Sequence, residues 1–303
     1  MAGAGVAGVG LTTNAAGAGT VVPPPAGDIK KGISIWCFPR DKPVREAMKL
    51  AREAGLHGIE LAFYTKDSEI TFDSTVDHMR RLVDDARSTG IEIVSLATGE
   101  LWRYPMTSDD SSERQQGQAI VRKMLELAAG LGVDSILVVP GTLKGREPGK
   151  MAVRYETAWQ RSTEAIRELI PVAEKHQVCI SIENVWNNFL LSPLEMRSYI
   201  DQFKSPFVQA HLDIGNMIRF GYAQDWILTL GPRIKKVHVK DFNVSRDTFV
   251  NLLEGDLDWP AAMQAFREVG WKGHLIAELS YNRMAPDLVV WNTSKAFDFI
   301  LAM

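Results

Sequence analysis

Eight short apolar runs, each followed by a longer amphipathic segment, fill the chain from residue 32 onward and constrain its fold more than any other feature. The runs are "GISIWCF" (32–38), "HGIELAF" (57–63), "IEIVSLA" (91–97), "VDSILVV" (133–139), "VCISIEN" (178–184), "FVQAHLDIG" (207–215), "IKKVHVKDF" (234–242) and "GHLIAEL" (273–279). Between them lie helical patterns such as "TVDHMRRLVDDARSTG" and "WPAAMQAFREVG", several closed by a glycine where a helix needs a left-handed residue. "SPLE" at 192–195 reads as a helix start, with Ser192 as N-cap, Pro193 in the first turn and Glu195 closing a capping box. Eight β–α units in about 270 residues predict an α/β fold, a single (β/α)₈ TIM barrel. A doubly wound sheet is the competing architecture, but no glycine-rich phosphate loop follows the first run. The long connections near 98–111, 141–152 and 243–258 all follow strands, which places them over the catalytic face of a barrel.

The first 29 residues stand apart from this pattern. "MAGAGVAGVGLTTNAAGAGTVVPPPAGD" is Gly/Ala-rich and uncharged until Asp28. Two readings stay open: a disordered tail, or a twin-arginine export signal lacking its charged start. The first leaves the protein cytoplasmic as written; the second sends it to the periplasm. Residues 30–303 form the barrel domain. Net charge is −3, which gives no electrostatic reason to expect nucleic acid or an anionic membrane as partner. No stretch is long and apolar enough to span a bilayer. The two cysteines, Cys37 and Cys179, read as small apolar strand residues rather than a disulfide framework.

Four of the later runs end on a residue that can bind a metal: Glu183 in "SIENV", Asp213 in "HLDIGN", His238 in "KVHVKD" and Glu278 in "IAELS". They lie 30, 25 and 40 residues apart, about one β–α unit each. Each is flanked by aliphatic or small residues. Because strand side chains alternate, flanks that face the outer helices turn the polar residue into the barrel. All four sit near the C-terminal strand ends and so converge on one mouth. Three carboxylates and an imidazole at one mouth repel or desolvate one another unless a cation joins them. One divalent ion resolves this, and the oxygen-rich donor set suits Mn²⁺, Mg²⁺ or Co²⁺ better than a thiolate zinc site.

The segments "SIENVWNNFLLSPLEM", "LDIGNMIRFGY", "RIKKVHVKDF", "LLEGDLDW" and "GHLIAEL" resemble the xylose-isomerase-like barrel superfamily, most closely its sugar phosphate isomerases and epimerases. That group includes pentulose-5-phosphate 3-epimerases and hexulose-6-phosphate isomerases. "LWRYPM" at 101–106 is similar to the loop after their third strand. The resemblance implies a metal held by Glu183, Asp213, His238 and Glu278, with Glu183 and Glu278 as the acid/base pair on opposite faces of an enediolate-forming carbon. It also marks two departures: Asn216 stands where many relatives carry a histidine, and Lys240 where the ketose 3-epimerases carry an arginine. The expected activity is a metal-dependent isomerase or 3-epimerase of a ketose or ketose phosphate. A lyase acting on a keto-sugar, keto-glycoside or inosose shares the same enolate. A sugar-binding accessory subunit is the non-enzymatic alternative, disfavoured by the paired glutamates. A multi-zinc endonuclease of the same superfamily is disfavoured by only six histidines and balanced charge. The partner is a small sugar or sugar phosphate, and the fold is compatible with a homo-oligomer.

Around the ligands, Trp36, Trp102 and Trp186 fall at or after strand ends, where aromatic faces meet sugar rings. Asn216 and Lys240 follow the ligand strands, Glu60 faces inward on the second strand, and Arg103 lies in a loop on the active face; all are candidate substrate contacts. Trp36 reads equally well as core, Lys240 as a structural ion pair, and Arg103 as a solvated loop residue. His211 shares the parity of Asp213 and reads as a hydrogen-bonded core histidine, with a partner behind the metal ligands as the alternative. "EGDLDW" at 254–259 is either a substrate loop or a turn leading into an N-cap at Asp258.

Overall fold

The computed structural model describes Met1 and residues 28–303, so the expectations for the N-terminal segment lie outside the described residues. Eight parallel strands close into a barrel: β1 (Ile29–Ser34), β2 (Gly58–Phe63), β3 (Glu92–Thr98), β4 (Ser135–Val138), β5 (Cys179–Glu183), β6 (Val208–Asp213), β7 (Ile234–Val239) and β10 (Gly273–Ala277). Each pairs with its neighbours in chain order, and β10 closes the ring on β1, with Ile33 beside Ala277. Two further strands, β8 (Asp241–Asn243) and β9 (Thr248–Val250), form an antiparallel hairpin outside the barrel.

Helices run between the strands as the sequence pattern requires. Thr75 caps α2 (Val76–Thr89) by accepting from His78 N, and Gly90, at φ 75°, ends it in the left-handed conformation. α3 (Ser111–Leu131) ends the same way at Gly132. At α5 (Pro193–Asp201) Ser192 accepts from Glu195 N, and the Glu195 carboxylate returns to Leu191 N at 2.9 Å. The capping box is therefore real, but closes one residue earlier than its usual form.

Two strand boundaries depart from the expected ones. The first strand begins at Ile29 rather than 32 and ends at Ser34, because a 3₁₀ turn (Ile35–Cys37) takes over, capped by Ser34 Oγ accepting from Trp36 N. Lys30 and Lys31 concealed the true start. Lys31 reaches across the barrel base to the Ser294 carbonyl at 3.1 Å and pairs with Asp298 of α8 (Leu288–Ile300). The seventh run, expected as one strand, breaks after Val239. Asp241 causes the break: its buried carboxylate accepts from Phe242 N (2.9 Å), Leu257 N (3.1 Å), Leu253 N (3.1 Å) and Trp259 Nε1 (3.0 Å). One carboxylate thus ties the hairpin to the loop that leads into α7 (Trp259–Glu268).

The "EGDLDW" stretch follows from that anchor. A Cβ on Gly255 would lie 2.2 Å from Asp241 Oδ1, so glycine alone lets the backbone approach. Asp258 accepts from Ala261 N at 3.0 Å and caps α7. The turn-and-cap reading explains Gly255 and Asp258. Both cysteines are buried and unpaired, as expected. Among the described residues no helix is long and apolar enough to cross a membrane.

Candidate metal centre

The barrel register brings the four strand-end residues together. Glu183 closes β5 and Asp213 closes β6; Asp213 pairs across to His238 in β7, and Glu278 follows β10 directly. One donor atom from each lies within 4.8 Å of the others. Parity and position both match the sequence expectation.

Asp213 is the most constrained of the four. Its Oδ1 accepts from Gly215 N (2.8 Å) and Asn216 N (2.9 Å). Its backbone is held by Asn184, whose amide accepts from Asp213 N and donates to Asp213 O, both at 2.8 Å. The second oxygen, Oδ2, is buried without an aligned hydrogen-bond donor among the described residues, 2.8 Å from Lys240 Nζ. The Lys240 ammonium is therefore the cation that meets this buried oxygen.

His238 lies between carboxylates on both ring edges. Its Nε2 is 2.8 Å from Glu60 Oε1, while Nδ1 is 3.3 Å from Glu183 Oε1 and 3.6 Å from Glu278 Oε2. Glu60 is fully buried and its other oxygen accepts from Ser95 Oγ at 2.6 Å. Glu60, expected to face the substrate, instead lies beneath His238 and leaves Nδ1 facing Glu183 and Glu278. His211 packs edge-on against His238, with ring centroids 4.2 Å apart. Neither of its nitrogens has a hydrogen-bond partner among the described residues, so it is a core histidine but not a hydrogen-bonded one.

Lys240 shares the cluster, bonded to Glu278 and next to Asp213. Burial alone would depress its ammonium, but Asp213, Glu278 and Glu183 outweigh that and hold it above the ordinary lysine range. Burial pushes the Glu183 carboxyl up to about 7, aided by Glu278 and Asp213 and opposed by His238. For Glu278 burial acts upward too, yet Lys240 and His238 bring it below the usual carboxylate value. Burial would also lower His238, but Glu60, Glu183 and Glu278 carry it well above a free imidazole. Burial keeps His211 neutral, with the positive His238 adding to the effect. One lysine and one imidazole therefore face four acidic groups, if Glu60 is counted, and leave the cluster short of positive charge. Three carboxylate oxygens and one imidazole nitrogen within reach of one another fit a divalent ion.

Above the cluster is a chamber of about 200 Å³ whose lining includes Glu183, Glu278, Trp36, Trp102, Trp186, Asn216 and Lys240. Five of the seven candidate substrate contacts are thus gathered there. Glu60 lies below it, and Arg103 is not among its lining residues; that side chain is exposed, its guanidinium 5.2 Å from the Tyr104 ring centre. Asn216 is held in place, its amide donating to Asn184 O at 2.9 Å and its carbonyl accepting from Trp186 Nε1 at 2.7 Å. Phe249, from the β8–β9 hairpin, stacks on Trp186 with centroids 4.8 Å apart and lies 5.0 Å from Lys240 Nζ. Sequence reasoning missed Asn184 and Phe249. An amide next to a strand-end glutamate was the available signal for Asn184; Phe249 carried none, because its place depends on the hairpin.

A family model described as xylose isomerase-like TIM barrel matches residues 48–296. The chain belongs to that family. Among its curated relatives is the L-ribulose-5-phosphate 3-epimerase UlaE of Escherichia coli O1:K1 / APEC, 25% identical over 276 residues, or 90% of this chain and 94% of the relative. Solved structures of the same shape include a D-psicose 3-epimerase with D-tagatose from Clostridium cellulolyticum H10. It has a TM-score of 0.73 and 17% identity, covering 89% of this chain and 97% of the other. The 3-keto-D-glucoside 4-epimerase YcjR of E. coli has a TM-score of 0.72 and 16% identity, covering 91% and 99%. At these identities the structural likenesses establish the fold alone. As a xylose isomerase-like barrel, the chain places its ligand cluster at the C-terminal strand ends, where barrels of this type carry their sites.

Proposed function

We propose that the protein is a divalent-metal-dependent epimerase or isomerase of a keto-sugar, moving a proton at a carbon next to the ketone. The observation that carries this reading is the pair Glu183 and Glu278. They come from different strands, line one chamber and approach the same nitrogen of His238. Each relative named above is called after inversion at a carbon adjacent to a carbonyl, which supports the same reaction type.

Glu183, Asp213, His238 and Glu278 would hold the ion, with Mn²⁺, Mg²⁺ or Co²⁺ suited to the donor set. When bound, the ion supplies Lewis-acid stabilisation of negative charge developing on substrate oxygen. The chain's own residues do the rest. One glutamate takes the proton from the carbon beside the ketone, and the other returns a proton on the opposite face. The two carboxyls reach the chamber from different strands, β5 and the end of β10, so that they can act on opposite faces of the sugar. Asn184 fixes Asp213, Glu60 fixes the His238 ring, and the aromatic walls of Trp36, Trp102 and Trp186 exclude water around the sugar.

The test is metal-reconstituted enzyme in D₂O with a panel of free and phosphorylated ketoses, followed by NMR. Deuterium at the carbon beside the ketone together with a new epimer supports epimerisation, and deuterium at C1 or C2 supports aldose–ketose isomerisation. A bound metal with no exchange on any sugar would contradict both.

A further inference from the structure

The chamber over the metal ligands opens into a second, larger one. The outer chamber has a volume of about 830 Å³ against about 200 Å³ for the inner, and the two share Trp36, Lys240, Phe249 and Glu278 as common walls. Pockets for drug-sized ligands run from roughly 300 to 1,000 Å³, so the inner chamber suits one small sugar and the outer has room for a further ring-sized group. Its character points to what that group is. The outer lining carries two cations, Lys240 and Arg283, and two carboxylates, Glu254 and Glu278. Lys240 is already committed to Asp213 and Glu278. A phosphate would call for several free cations or a helix N-terminus aimed at it. The starts of α7 at Trp259 and α8 at Leu288 both lie outside the lining. What the outer chamber does present is the aromatic surface of Trp36, Phe249 and Tyr281 among scattered polar groups, a surface suited to the apolar face and hydroxyl rim of a neutral sugar ring.

We infer that the outer chamber is a second binding site for an uncharged ring attached to the reacting sugar, so that the substrate is a glycoside of a keto-sugar rather than a free ketose or a ketose phosphate. This rests on the keto-sugar reading of the inner site. Phe249 stands at the junction, with one ring lining both chambers. The reacting ring sits over Glu183 and Glu278, and the attached ring extends along Glu278 toward Tyr281. Binding energy from the attached ring, remote from the reacting carbon, can then be used to orient the reacting one.

The experiment compares four probes on metal-loaded full-length enzyme in D₂O: 3-ketoglucose, D-psicose, L-ribulose 5-phosphate and 3-ketoglucose bearing a glucosyl aglycone. Exchange at the carbon beside the ketone gives kcat/KM for each. The expected result is a kcat/KM for the glycoside about tenfold or more above every other probe, and a Tyr281→Ala variant in which the glycoside-to-free-sugar ratio collapses toward one. Exchange with a free sugar or the phosphate at equal or better efficiency would overturn the inference and leave the inner-site reading standing. A glycoside preference that survives Tyr281→Ala and Arg283→Ala together would also overturn it. Absence of exchange with all four would overturn the inner-site reading and this inference with it.

Discussion

Lys240 Nζ lies 2.8 Å from Asp213 Oδ2 and also donates to Glu278, so the ammonium sits among the carboxylates that would hold a metal. The lysine is the positive partner of the cluster when no metal is bound. Removing it leaves Asp213, Glu278 and Glu183 facing one another in a buried site. Lys240→Met is therefore expected to destabilise the metal-free protein by about 3 kcal/mol, the scale of breaking a buried ion pair from one side. Saturating Mn²⁺ should recover much of that loss. Thermal melts with and without Mn²⁺ check this; an unchanged metal-free melt would show that the lysine carries no such charge balance.

Glu60 never meets the chamber, yet its contact with His238 Nε2 sets which nitrogen faces the ligands. Glu60→Gln is expected to weaken Mn²⁺ binding about 10- to 100-fold, the usual effect of losing a carboxylate behind a metal-bound histidine. Titration calorimetry reads it. Equal affinity in the variant would mean that the histidine orientation is fixed by packing against His211 instead.

The raised Glu183 carboxyl makes the metal-free protein sensitive to pH in a defined direction. Between its ordinary value of 4.5 and about 7, the folded state holds a proton that the unfolded state has lost. Stability from this group is full below pH 4.5 and falls as pH rises toward 7, by at most about 3 kcal/mol. His238, also raised, acts in the same direction. Metal binding needs Glu183 ionised and His238 free of its Nδ1 proton, so apparent affinity should climb as pH rises toward 7 and go on climbing above it, with protons released. Calorimetry in two buffers of different ionisation heat counts them. In Glu183→Gln the fall in metal-free stability should shrink; a fall of the same size would place its origin elsewhere.

Asp241 holds the hairpin that carries Phe249. Asp241→Asn can accept fewer of the four hydrogen bonds and should cost about 2–4 kcal/mol, given roughly 1 kcal/mol or more per bond to a charged acceptor. Amide exchange should accelerate in residues 241–257 while β5 and β6 keep their protection. Uniform acceleration across the barrel would show that the anchor is global rather than local.

The barrel and the convergence of four strand-end residues were legible because they rest on local rules. Strand alternation alone turned Glu183, Asp213, His238 and Glu278 toward one mouth, and the β–α rhythm set their spacing. What was hidden depends on contacts between distant segments. Lys30 and Lys31 disguised the start of β1, since their long side chains can leave a strand that is half buried. Asp241 broke an apparently continuous strand through bonds to residues up to 18 positions away. Glu60 points inward as expected but lies below the chamber, because parity shows which way a side chain points and not how deep it lies. Arg103 sits in a loop, where the sequence pattern leaves side-chain direction open, and it turned onto Tyr104 rather than into the chamber.

The most direct test of the central claim is anomalous diffraction at the manganese edge from crystals grown with Mn²⁺. The account predicts one strong peak within coordination distance of Glu183, Asp213, His238 Nδ1 and Glu278, with Lys240 moved off Asp213. A peak elsewhere, or none at saturating Mn²⁺ with Lys240 still seated between Asp213 and Glu278, would contradict it.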